Sequence, residues 1–163
     1  MISHQELVRI FPRLENKTSD RRLGFLFQGN SDTLQFNYLE RLATCLLGST
    51  FENGNGGVKI IDFSEVPSDV LPLIVSLVAR LAFSIQQWTS PEQRHPIALM
   101  CDEAHLYIPN RNIADSADEI SIKIFERIAK EGRKYGLSLV VISQRPSEVN
   151  KTILSQCSNF VAM

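Results

Sequence analysis

Two short runs without a charged residue, Ile97–Cys101 (IALMC) and Leu137–Ile142 (LSLVVI), constrain this fold more than any other feature. Turn-forming or charged residues bound each run, and neither is long enough for a buried helix, so both read as strands. The first reads as a central parallel strand buried on both faces. A helix with both ends marked lies between them. Ser116 and Glu119 have capping-box spacing, Ile120, Ile124 and Ile128 recur one turn apart, and Gly136 follows Arg133 and Lys134. Strand, crossover helix and strand predict adjacent parallel strands.

The remaining segments alternate in the same way. Leu23–Phe27 reads as a short strand, and Leu39, Leu42, Ala43, Leu46 and Leu47 recur at helical spacing up to Gly48. Phe51–Gly57 (FENGNGG) reads as a flexible insert, and Val58–Phe63 (VKIIDF) as another strand. Ser68 is placed to cap a helix whose apolar face runs through Leu73, Leu77, Leu81 and Ile85, with Pro72 in its first turn. Ser147 is placed to cap a short helix through Ile153 and Leu154, and Asn159–Met163 begins a last strand. Such alternation predicts an α/β sandwich.

Composition narrows the classes. A chain of 163 residues, 44% apolar, suits one globular domain. Its longest apolar stretch, Val70–Ile85, is shorter than a membrane span and is interrupted by Pro72 and Arg80, which predicts an amphipathic core helix and no membrane partner. The N-terminus lacks the charge and apolar pattern of a secretory signal. Cys45, Cys101 and Cys157 form no CxxC pair, which argues against a disulfide framework or zinc site and suits a reducing cytoplasm. The net charge of −1 gives no global basic field, so any DNA contact must be local or arise by assembly.

Chemistry concentrates after the first apolar run, in IALMCDEAH. Ligands of parallel sheets sit beyond the carboxyl ends of the strands, so Asp102 and Glu103 stand at the mouth of a site. In phosphoryl-transferring NTPases one acid holds Mg²⁺, usually through water, and a second orients the attacking water. Asp102 is the candidate metal acid and Glu103 the candidate water acid. The plainer alternative is a strand that ends and meets solvent with two charges. The second run finishes on Ser143-Gln144-Arg145-Pro146, which brings Gln144 to the same sheet edge, where a neutral amide can bind a phosphate or the lytic water. Gln144 is otherwise an ordinary polar loop residue. His105 has no second His or Cys at helical spacing and makes a poor zinc site. The polar stretch from Asn110 to Glu119 predicts an exposed loop over the site.

Taken together and in order, DEAH, KEGRKYG, SQRPSEV and LSQCSNFVAM resemble the HerA branch of the HerA/FtsK ATPases, from about Val58 to Met163. DEAH alone is shared with superfamily-two helicases; the four-part combination is far more specific. The resemblance implies a RecA-like P-loop NTPase fold, a three-layer sandwich with a mostly parallel sheet. It also implies ATP with Mg²⁺, a hexameric ring, translocation on double-stranded DNA, and a nuclease or effector partner in DNA end processing or phage defence. On this basis residues 1–163 are a partial ATPase domain, with 58–163 carrying the resemblance. Asp102 and Glu103 match the Walker B pair and Gln144 the polar sensor. Arg133 and Lys134 match the basic pair, Lys134 on the nucleotide and Arg133 as the arginine that reaches a neighbouring subunit's phosphate, with Arg127 as second choice. The plainer role for Arg133 and Lys134 is favourable charge at a helix C-terminus, worth about 0.3–1 kcal/mol.

One half of such a site is missing. No GxxxxGK[ST] loop occurs. Gly24, Gly29 and Ser31 have partial spacing, but Asn30 stands where Lys is needed and Phe25-Leu26-Phe27 fits a strand. The resemblance therefore implies a phosphate loop upstream of residue 1, a truncated product that is inactive alone, and a strand missing between Leu137–Ile142 and Asn159–Met163. Edges left open by that strand would favour self-association or a rearranged pairing. A non-catalytic assembly scaffold for a nuclease or other effector is the alternative. A metal-dependent nuclease fits poorly, because no further acidic cluster with a catalytic Lys stands nearby.

Overall fold

The computed structural model describes residues 31–47, 57–110 and 116–161, with isolated positions before residue 31. Its elements in chain order are α1 (Tyr38–Leu47), α2 (Leu71–Trp88), β1 (Ile97–Cys101), α3 (Ser116–Glu131), β2 (Leu137–Val141) and α4 (Lys151–Gln156). β1 and β2 pair in parallel, Ile97 opposite Leu137 through Cys101 opposite Val141, as the strand–helix–strand pattern predicts. The chain is α/β, and its described sheet has two strands.

Among the described residues the sheet is covered on one face only. Cys101 and Leu137 are buried, and Ile97, Leu99, Leu139 and Val141 pack against a core of Val75, Ala79, Phe83, Phe125 and Ile128 from α2 and α3. Ala98, Met100, Ser138 and Val140, on the opposite face, are exposed. The expectation that β1 is central and buried on both faces is corrected: a strand's second face is buried only when another layer lies over it. The described residues supply two layers, not three.

α2 is apolar nearly all round, and packing chose a different stripe from the leucine one. Its buried residues include Val75, Ser76, Ala79, Ala82, Phe83 and Gln86, whereas Leu73 and Leu77 are exposed. Small residues let α2 and α3 approach closely; the leucines face outward, where no described element covers them. Pro72 lies in the first turn as expected, but Val70 precedes the helix and no side chain caps it, so Ser68 is not its cap. In α3 the buried stripe is Ile122, Phe125 and Ile128, with Ile120 exposed. Full burial of a side chain the size of Phe125 contributes about 1.5–3 kcal/mol.

α3 passes through a tight turn at Gly132–Tyr135 and stops at Gly136, whose φ of 73° is the left-handed value that favours glycine. Gly132 is buried, and a Cβ there would meet the Leu137 carbonyl oxygen at 2.5 Å. Buried Gln86 ties the end of α2 to this corner, donating to the carbonyl oxygens of His95 at 2.7 Å and Gly136 at 3.4 Å. Arg94 adds a bond to the Gln86 carbonyl at 3.0 Å and stacks over the Tyr135 ring.

Three further expectations are corrected. Val58–Phe63 is unpaired coil with Val58 and Ile60 exposed, because a strand exists only where a neighbour takes its N–H and C=O groups. Asn150, not Ser147, caps the short helix α4, its Oδ1 accepting the Ile153 N–H at 3.1 Å. Asn159–Val161 is exposed coil. Of the expected strand Leu23–Phe27 only Gly24 is described, and it is helical. Gly29, Asn30, Gly48, most of Phe51–Gly57, residues 111–115 and residues 162–163 lie outside the described residues.

Candidate functional site

The carboxyl end of β1 turns sharply. Glu103 has φ 45° and ψ 43°, the only positive φ at a non-glycine residue among those described. A left-handed non-glycine residue is strained and needs surrounding structure to hold it. Here the ladder continues past the strands: the Ile142 N–H donates to the Cys101 carbonyl at 2.9 Å and the Ala104 N–H to the Ile142 carbonyl at 3.0 Å. Buried Tyr107 closes the turn from below, its hydroxyl donating to the Asp102 carbonyl at 2.7 Å. The following chain is pinned to the segment after β2, Asn110 N–H to Glu148 O at 2.6 Å and Asn150 N–H to Ile108 O at 3.0 Å, around a Pro109–Val149 bridge.

This frame presents two acids in different settings. Asp102 is exposed, and its Oδ1 accepts the Glu103 N–H at 2.9 Å. Glu103 is partly exposed, yet its Oε2 is buried and makes no hydrogen bond of good geometry; His105 Nδ1 lies 3.4 Å away. The same Nδ1 is 3.2 Å from Ser143 Oγ, and that hydroxyl oxygen accepts the Arg145 N–H at 3.0 Å. Asp102, Glu103, His105 and Ser143 thus meet at one sheet edge, and Gln144, exposed, is the next residue along. No group of three or more metal-ligating side chains occurs among the described residues. Mg²⁺ does not require one, since it keeps several waters and takes one or two carboxylates plus substrate phosphates, and exposed Asp102 fits that demand.

The basic pair lies elsewhere. Arg133 and Lys134 stand in the turn that leads into β2, at the sheet edge opposite the acids, a strand length of about 16 Å away. Lys134 Nζ sits 5.5 Å from the centre of its neighbour Tyr135's ring. Arg127, on α3, is held by Glu131 at 3.5 Å and lies over the Phe83 ring at 5.2 Å. Within one chain, neither Arg133 nor Lys134 meets the acid pair.

Ser143, the His105 contact to both strands' ends, and Tyr107 have no local sequence signal that marks them as site residues. His105 was legible only as a weak metal ligand, because its partners are 38 residues away in Ser143 and across the turn in Glu103.

Fold and site define a parallel α/β unit with an acid pair at the carboxyl end of one strand and a polar turn at the end of its neighbour. No family model matches the chain. Among curated proteins it is 31% identical over 108 residues, 64% of this chain, to a probable helicase of Methanocaldococcus jannaschii, covering 20% of that protein. It is 40% identical over 73 residues to the DNA double-strand break repair helicase HerA of Pyrococcus furiosus, covering 45% of this chain and 12% of the relative. To the HerA of Sulfurisphaera tokodaii it is 28% identical over 112 residues, 66% of this chain and 22% of the relative. The chain is therefore HerA-like over about two thirds of its own length, and spans about a fifth or less of these relatives.

Proposed function

We propose that this chain carries the hydrolytic half of the ATPase site of a HerA/FtsK-type motor with a RecA-like P-loop core, residues 1–163 forming part of that domain. The observation that carries the reading is the parallel pairing of β1 with β2, which sets Asp102 and Glu103 beside the Ser143–Gln144 turn. In this reading Asp102 would hold Mg²⁺ through water, and the ion would supply charge that screens the phosphates. Glu103 orients and deprotonates the attacking water, and Gln144 hydrogen-bonds the γ-phosphate or that water. The work coupled to hydrolysis is translocation on double-stranded DNA, in the cytoplasm, in a hexameric ring that serves end processing or defence with a nuclease or effector partner. Relatives named as DNA-repair helicases support DNA as the partner.

The distance between Arg133 and the acids favours a role across a subunit boundary, as an arginine finger on a neighbour's phosphate, with Lys134 contacting nucleotide from the same side. The experiment is steady-state ATP hydrolysis by the native full-length protein. Glu103→Gln is expected to leave nucleotide affinity near normal and lower kcat by a factor of about 10² or more. Arg133→Ala is expected to lower kcat by about 10³–10⁵, and mixing the two inactive variants restores part of the activity. Equal loss of binding and turnover in Glu103→Gln makes that residue structural; no rescue in mixtures makes Arg133 structural. The scaffold reading draws on one fact, the absence of a GxxxxGK[ST] loop from these residues. A full-length protein that neither binds nor hydrolyses ATP but retains its effector supports it.

A further inference from the structure

His105 is not absorbed by either carboxylate role, yet its side chain is only 11% exposed and one ring nitrogen faces both strands' ends. Nδ1 lies 3.2 Å from Ser143 Oγ and 3.4 Å from Glu103 Oε2. A carboxylate oxygen can only accept, and Oε2 is buried without a hydrogen bond. A lone pair on Nδ1 would face that oxygen in a place where water does not screen the repulsion; a proton there is attracted instead. Ser143 Oγ already accepts the Arg145 N–H and retains a second lone pair for another donor. Glu103 therefore asks for the proton on Nδ1, and Ser143, whose hydroxyl can accept or donate, accommodates it.

We propose that His105 is a positioning residue: its Nδ1–H, shared between Glu103 Oε2 and Ser143 Oγ, locks the strained acid of β1 to the polar turn after β2. Glu103 stands in a strained left-handed backbone conformation outside the strand, and such a conformation persists only where surrounding contacts hold it. Through Ser143 the clamp also sets the start of the turn that carries Gln144. The two groups assigned to the attacking water and the γ-phosphate then keep one mutual geometry. This role rests on the hydrolytic reading of the site.

Two near-isosteric substitutions test it. Asn at this position places an N–H₂ group near the site of Nδ1, whereas Gln places it near Nε2. In the native full-length protein, His105→Asn is expected to retain most of kcat, and His105→Gln to lose roughly ten- to a hundredfold with KM changed little, the range for a misplaced catalytic group. Nitrogen NMR of the ¹⁵N-histidine-labelled 163-residue chain supplies the second readout. At a pH where the ring is neutral, Nδ1 is expected to be the protonated nitrogen and Nε2 the bare one. An Nε2–H tautomer, or equal kcat values for the Asn and Gln variants, overturns the clamp. A wild-type protein that hydrolyses no nucleotide overturns the hydrolytic reading and the positioning role with it, and the ring measurement, which needs no activity, tells that outcome apart from a misassigned proton.

Discussion

Cys101 ends β1 one residue before the acid pair, with its thiol buried beside Tyr107. Burial pushes the thiol up to about 11 from 9.0, with a smaller opposing effect of the Tyr107 hydrogen bond. Burial also raises the Tyr107 phenol, and the neighbouring thiolate and carboxylates add to it. Both folded values lie above the unfolded ones; for Cys101 the stability contributed by the neutral thiol is fully present below about pH 9 and is lost as pH rises through about 11, and the Tyr107 contribution is lost only at higher pH. For Cys101 alone the two-unit difference corresponds to something on the order of 2–3 kcal/mol. Melting temperature is expected to fall steadily from pH 9 to 11, and Cys101→Ala to flatten part of that fall. A curve equally steep in both proteins removes Cys101 from the account. Cys45, the exposed thiol among the three, is expected to be alkylated before Cys101 and Cys157, which mass spectrometry after brief iodoacetamide treatment checks.

The acid-bearing end of β1 depends on neighbouring elements, and the clearest case is α4. Its six residues are too few to be stable by propensity, so the Asn150 cap and the buried Ile153 hold it. Asn150 itself is buried, and its N–H bonds to Ile108, which ties α4 to the loop that follows the acids. Asn150→Ala is expected to cost about 0.5–2 kcal/mol in urea unfolding, whereas Ser147→Ala, at an exposed position that caps nothing, stays within about 0.5 kcal/mol. Equal costs would remove Asn150 as the cap, and a larger cost at Ser147 would place the cap there, three residues earlier. The sequence offers both a Ser and an Asn there, and spacing alone does not choose. The choice falls to Asn150 because only its side chain meets a free helical N–H, that of Ile153.

At the scale of the molecule, a two-stranded sheet with one bare face holds an acid pair but no phosphate-gripping loop among these residues. Asp102 and Glu103 are anions that repel a bare triphosphate, and phosphate binding in P-loop sites comes largely from loop amides and a Lys. The 163-residue chain by itself is therefore expected neither to bind ATP with useful affinity nor to hydrolyse it. Titration with a fluorescent ATP analogue in Mg²⁺, alongside phosphate release, checks this. Micromolar binding lost on Asp102→Ala would return attention to Gly24, Gly29 and Ser31 as an unusual phosphate loop.

The local pattern of residues determined a good deal. Two charge-free runs separated by a helix with marked ends specify adjacent parallel strands, since the crossover leaves no other simple pairing, and that pairing sends Asp102, Glu103 and Gln144 to one edge. Gly136 as the stop of the preceding helix was equally legible, because few other residues take a φ of 73°. Only the tertiary structure decided which stripe of α2 is buried, since a helix apolar on most of its circumference offers more than one apolar stripe until α3 packs on it. It also decided that VKIIDF stays unpaired, a matter of neighbours rather than propensity. The meeting of His105, Glu103 and Ser143 belongs to the same class: a contact between residues 38 positions apart has no local periodicity to announce it, and forms only when β1 and β2 lie side by side.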